Sequence, residues 1–199
     1  MIVTQVMRGL GAALALLRRE PEAIKRFDNS VGGFWSSFWA LPIAIPFFAP
    51  IHSGQLRLAE EILREAGEAL PTGDPLGFWP AVVMALIQWT TMPIVMILVV
   101  RMLRLTRRYA LYVIAYNWGS LLWTILVSGV MALYTLGIVP LGYFQIVFLM
   151  LGLGQVYYQW YIARQALGVS IFNAIAITVL YGSLSIIVGL TLAQFMPGA

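Results

Sequence analysis

Few side chains in this chain could do chemistry, and most of those are amides and hydroxyls set into apolar runs. Asn117, Ser120, Thr124 and Ser128 fall within about 80° of one another at 100° per residue. Gln145, Gly152, Gln155 and Gln159 share a face by the same geometry. Gln88, Thr90 and Thr91 stand just before Pro93, and Thr178, Gly182, Ser185 and Gly189 make a stripe of small residues. Inside a bilayer such groups meet one another or a ligand, because water is not at hand. One reading makes them interhelical bonds of about 0.6 kcal/mol each. The other makes the Asn117 face and the Gln155/Gln159 face line a polar path. The first is favoured, since proton-driven transport relies on an intramembrane carboxylate or histidine and these runs hold neither.

Catalytic patterns are equally scarce. His52, the one histidine, lies beside Pro50 with no second ligand spaced to join it, and reads as an interface residue rather than a metal ligand. There is no cysteine, which removes disulfides, thiolate metal sites and cysteine nucleophiles. Phosphate-loop, serine-hydrolase and zinc-protease patterns do not occur. "GLGQ" (152–155) is a glycine pair within an apolar run, not a phosphate cradle after a strand. The expectation is a non-enzymatic protein without metal or cofactor.

The elements that must carry these residues follow from composition. Of 199 residues, 61% are hydrophobic and 10% charged, where a soluble domain carries roughly a quarter charged. Mean hydropathy is +0.87. Disorder is excluded, and an integral membrane protein is the class that fits. About 20 apolar residues cross a bilayer as helix. Five runs qualify, at 31–51, 76–100, 109–136, 141–163 and 167–195, in a single membrane domain. "GLGAALALL" (9–17) has the length of a signal core, but "RREPE" follows instead of a cleavage site, so the N-terminus reads as retained.

Positive charge sets the orientation. With the N-terminus cytoplasmic, that side receives Arg8, Arg18, Arg19, Lys25, Arg26, Arg101, Arg104, Arg107, Arg108 and Arg164, while Arg57 and Arg64 fall opposite. This is a strong positive-inside pattern and places the C-terminus outside. "RMLRLTRR" (101–108) is the densest cluster. With Arg8, Arg18 and Arg19 it forms a basic face suited to anionic lipid or an acidic partner rather than to nucleic acid.

Two segments outside the runs are amphipathic. In the first, Val3, Val6, Met7, Leu10, Leu14 and Leu17 recur at helical spacing, predicting an interfacial helix within a cytoplasmic segment 1–28, packed on its own bundle. Pro21 then fits the first turn of a restarted helix in "PEAIKRF". The second lies in an outer loop, 53–75, where Leu58, Ile62, Ala66 and Leu70 form a stripe and Glu60–Arg64 an i,i+4 pair. Gly67 weakens that helix and "PTGDP" ends it.

The first run contains "LPIAIPFFAP", with Pro42, Pro46 and Pro50 on one helical face. Each removes a backbone donor, freeing the carbonyls of Phe38, Pro42 and Pro46. Lipid cannot satisfy these, so the spacing predicts a kinked or partly unwound span whose proline face turns into the protein, with Pro50 ending it.

"FDNSVGGFWSSFWALP" (27–42), preceded by "LLRREPEAIKRF", resembles the opening of small inner-membrane proteins found especially in alphaproteobacteria. The five-span layout with a cytoplasmic N-terminus is similar to the Yip family, whose eukaryotic members work with Rab-type GTPases and shape membranes. The resemblance implies a membrane organiser or adaptor. The expected protein is therefore all-α and polytopic, five transmembrane helices plus an N-terminal interfacial helix. It acts as a scaffold or accessory subunit for lipid, another membrane protein or a second copy of itself. The alternative is a small oligomeric transporter or channel built on the broken first span and the Gln/Asn faces.

Overall fold

The computed structural model describes residues 2–68, 74 and 77–194, and among them every regular element is helical. The helices are α1 (Ile2–Leu17), α2 (Val31–Ser37), α3 (Ala40–Ala44), α4 (Phe48–Ala66), α5 (Phe78–Met102), α6 (Tyr109–Thr135), α7 (Leu141–Leu167) and α8 (Ile171–Ala193). Single 3-10 turns stand at Ala23–Arg26, Ile45–Phe47 and Thr106–Arg108. Five helical stretches are long and apolar enough to cross a membrane: Val31–Ala66, Phe78–Met102, Thr106–Thr135, Leu141–Leu167 and Ile171–Thr191. The chain is an all-α, polytopic membrane protein.

The post of the bundle is α6. Its most apolar stretch is 56% buried, against 28% or less for the other four spans. Residues 112–119 are all buried, as in a helix enclosed on every side. It packs against α1, α2, α3, α4, α5 and α7, while α8 lies across α5 and α7. Large parts of α7 and α8 remain outward-facing and apolar, as lipid-facing surfaces are.

The first span is one helical stretch in which the α-helix gives way to a turn at Phe38 and Trp39 and to 3-10 at Ile45–Phe47, the partial unwinding that was expected. Helical dihedrals persist from α2 through the Ile45–Phe47 turn into α4. The freed carbonyls are satisfied locally: Leu41 N donates to Phe38 O at 3.1 Å, Ile45 N to Pro42 O, and Phe48 N to both Ile45 and Pro46 O. Tightening to i→i+3 bonds replaces the i→i+4 donors the prolines lack. The face is therefore the reverse of the expectation. Pro42 and Pro46 are exposed and Pro50 half-exposed, while Ala40 and Ala44 opposite are buried against α6. With no orphan carbonyl left, the proline rings tolerate lipid. Pro50 does not end the span either, because it sits in the first turn of α4, where its missing donor costs nothing.

The outer amphipathic segment is thus the end of the first span, not a separate helix. At 36 residues the stretch is about 54 Å long, well beyond a hydrocarbon core of about 30 Å. Gly67 stops it, taking the left-handed conformation (φ 72°), while Glu68 N bonds Leu63 O at 2.9 Å. The ion pair that forms is Arg57–Glu61 at 2.8 Å, in place of Glu60–Arg64. Arg57 also donates to the carbonyls of Tyr134 (2.5 Å) and Thr135 (2.9 Å), and Tyr134 donates to Glu61 at 2.7 Å. A cation capping the negative end of α6 explains the preference. Leu70, the "PTGDP" stop apart from Asp74, the start of the second run at 76 and the chain end after Gln194 lie outside the described residues.

At the N-terminus the inward face of α1 takes in only part of the apolar stripe. Gly9, Ala12, Ala13, Ala15 and Leu16 are buried and Val6, Leu10 and Leu17 pack against the same core, whereas Val3 and Met7 face outward. Small residues allow close approach: a Cβ on Gly9 would lie 2.3 Å from the Trp118 ring. Tyr158 of α7 fastens the helix by donating to Ala13 O at 2.8 Å. Beyond α1 the chain restarts as the 3-10 turn Ala23–Arg26 rather than as an α-helix at Pro21. The "FDNSVGG" stretch then starts α2. Ser30 caps it through Gly33 N (3.0 Å), and the Asp28 carboxylate accepts from Ser30 N (3.1 Å). Gly33 is obligatory there, since a Cβ would stand 1.8 Å from the Asp28 carbonyl oxygen. Those motif residues build a turn.

Candidate functional site

Polar groups at the centre of the bundle fall into two sets. The first is structural. Asn117 donates from Nδ2 to Ser37 Oγ at 3.0 Å and accepts from Trp89 Nε1 at 3.3 Å, joining α2, α5 and α6 in a buried bridge. Pro93 leaves Trp89 O without its helical donor, and Tyr116 supplies one from α6 at 3.1 Å. Tyr109 similarly donates to Pro93 O at 3.0 Å. These bonds behave as interhelical glue.

The second set lines a cavity of about 260 Å³ and its neighbour of about 310 Å³, which share Phe48, Ile51, Ala85 and Gln88 as a common wall. The larger one is an open cleft lined by α4, α5, α6, α7 and α8. Its polar lining is Gln88, Ser120, Thr124, Gln155 and Tyr181, each from the middle stretch of its helix. Gln155 Nε2 donates to Tyr181 Oη at 3.0 Å, and Gln88 reaches Ser185 O at 3.4 Å. Trp123 is also in the wall, stacked on Tyr158 with centroids 5.9 Å apart. It is 93% buried, and its indole N–H has no acceptor. No charged side chain lines this larger cavity. The smaller one opens toward His52, which pairs with Asp74 at 2.7 Å.

The expected intramembrane face is therefore divided. Gln155 is in the cavity, Gln159 is buried elsewhere, Gln145 is exposed, and Asn117 belongs to the bridge. The α8 stripe does not grip a neighbour along its length: a Cβ on Gly182 or Gly189 would meet nothing within 4 Å. Trp89, Trp123, Tyr181 and Ser37 carry the geometry without having been singled out from sequence. Pro93 was the available signal for one of them, because any span proline implies a donor arriving at the carbonyl four residues back. Among the described residues no group of three or more His, Asp or Glu converges to hold a metal.

The arginines stand apart from these clefts. Arg8, Arg18, Arg19, Arg101, Arg104, Arg107 and Arg108 are all exposed, and among the described residues none pairs with a carboxylate. The acids on that side are already engaged: Glu20 with Arg26 at 2.6 Å, Glu22 with Lys25, and Asp28 with Ser30. Arg19 lies over the Tyr157 ring at 4.7 Å. Arg19 (φ 56°) and Arg104 (φ 57°) both occupy the left-handed position that ends a helix, where glycine is usual.

Fold and site together define a polytopic helical membrane protein, built on one buried central span, with a mid-bundle cleft whose larger part has no charged lining, and with exposed arginines that pair with no carboxylate among the described residues. No known protein family, curated protein or solved structure matches the chain.

Proposed function

We propose that this protein is a non-enzymatic scaffold or adaptor of a bacterial inner membrane, binding anionic phospholipid and another membrane protein at its arginine face. That face is cytoplasmic in this reading, by the excess of arginine and lysine on one side. The observation that carries the proposal is the set of seven exposed arginines without a carboxylate partner. Each basic residue near an anionic surface contributes about 1 kcal/mol of attraction. The resemblance to Yip-type organisers, which rests on span layout, supports the same role.

The test is reconstitution of the purified chain into nanodiscs containing phosphatidylglycerol or phosphatidylcholine, with bound lipid counted by native mass spectrometry. Phosphatidylglycerol should be retained selectively, and reversal of Arg101, Arg104, Arg107 and Arg108 to Glu should release it. The same reversal should abolish a crosslinked partner in native membranes. Equal retention of both lipids, or an unchanged pattern in the variant, rejects the proposal. Reporter fusions after Leu105, Val139 and Ala166 test the orientation, with cytoplasmic signals expected after Leu105 and Ala166 alone.

One observation favours the second reading, a small transporter: the mid-bundle cavity holds Gln88 and Gln155 in the middle of the spans. Solute flux in proteoliposomes, lost in Gln155→Leu, would displace the scaffold proposal.

A further inference from the structure

We infer that the cavity between α4, α5, α6, α7 and α8 binds an uncharged, flat ring carrying carbonyl oxygen, a quinone-type molecule taken from the bilayer. The volume, about 310 Å³, suits one compact ring system and lies at the low end of small-molecule sites. Wall chemistry then selects the occupant. A charged ligand would find no counter-ion among the lining residues, and an unpaired charge in a low-dielectric interior is prohibitively costly. A wholly apolar ligand would leave the second Gln155 amide hydrogen unpaired. The complement is neutral, with hydrogen-bonding oxygen.

The polarity of those bonds follows from the donors. Thr124 already gives its hydroxyl hydrogen to Ser120 O at 2.9 Å, and Gln155 spends one amide hydrogen on Tyr181. Buried donors are nearly always paired, so the second Gln155 hydrogen calls for an acceptor oxygen, which a carbonyl supplies. Flatness follows from the aromatic walls: Phe48, Trp89, Tyr116, Trp123 and Tyr181 offer ring faces and edges to a planar guest. A side chain on that ring has somewhere to go, because the adjoining space of about 260 Å³ is bounded by Ile51, Val82 and Met84.

Menadione, a naphthoquinone without a prenyl tail, is the probe, and 2-methylnaphthalene is the same ring without oxygen. The chain has no cysteine, so thiol addition to the quinone does not confuse the result. Titration into the detergent-purified full chain should quench tryptophan fluorescence saturably and raise the thermal midpoint. Gln155→Leu should weaken binding about tenfold, the equivalent of one good hydrogen bond. Tyr181→Phe keeps the ring and removes only the hydroxyl that orients Gln155, providing a variant if Gln155→Leu does not fold. Saturable binding to menadione alone, weakened in the folded variants, supports the site. Non-saturating quenching, equal stabilisation by 2-methylnaphthalene, or wild-type affinity in the variants overturns it. A strong response to phosphatidylglycerol that is unchanged in these variants would separate this site from the arginine face.

Discussion

Tyr116 donates its hydroxyl to the carbonyl of Trp89 across 3.1 Å, filling the vacancy that Pro93 creates in the α5 ladder. Two residues on different helices thereby make one helix's defect the other's contact. Tyr116→Phe should cost about 1–3 kcal/mol, because a buried acceptor is left without a donor. Pro93→Ala in that background restores a backbone N–H at position 93 and should recover part of the loss. Thermal or denaturant unfolding of the two single variants and the double variant measures the coupling. Additive losses would show that the hydroxyl does not serve that carbonyl.

Asn117 is placed to test glue against path. Asn117→Leu would strand the Ser37 hydroxyl and the Trp89 indole N–H together. The expected outcome is a stability loss of about 1–2 kcal/mol, at the upper end of measured intramembrane bonds. Menadione binding should persist, since Asn117 is outside the cavity lining. Melting curves and the fluorescence titration check the two halves separately.

What the sequence made legible is tied to period and composition. Five spans and a shorter N-terminal helix could be read because burial in lipid demands apolar length and internal hydrogen bonding. The proline face could not. Counting lost donors gives the number of orphan carbonyls, but whether they turn inward depends on local 3-10 tightening, as at Leu41 and Ile45. Likewise the apolar stripe of α1 gave Val6, Leu10 and Leu17, which pack against the core, but not Gly9, Ala12 and Ala13, whose burial follows from close approach to α6. Periodicity sees size and polarity, not which neighbour is near enough to reward a small residue. The cavity was illegible for a related reason, since Trp123 and Tyr181 read as core aromatics until five helices are brought together.

The N-terminal turn should show a defined pH response. Bonds from the Ser30 hydroxyl and backbone hold the Asp28 carboxyl below its ordinary 3.8, with Arg8 adding to the effect and burial opposing it. A depressed folded value means the contribution is complete above the unfolded value and is lost as pH falls through the lower folded one. Acidification from neutrality to below pH about 3.8 should therefore lower the wild-type thermal midpoint more than that of Asp28→Asn. Parallel pH curves for the two proteins would remove Asp28 from the lock.

Arg104 separates the lipid surface from the fold. Its backbone is left-handed at the end of α5, and Leu105 N closes the turn onto Val100 O at 2.7 Å. A non-glycine residue there stores about 1 kcal/mol of strain, which the exposed side chain does not repay through an ion pair. Arg104→Gly should accordingly raise stability by up to about 1 kcal/mol. It should at the same time weaken retention of phosphatidylglycerol, by the share of one basic residue. Arg104→Ala removes the same charge without relieving the strain, so it should lose lipid equally and gain nothing in unfolding. Measured side by side, the pair isolates what the arginine costs the fold from what it does for the membrane. If Arg104→Gly is stabilised and holds the lipid unchanged, the arginine face is topological only.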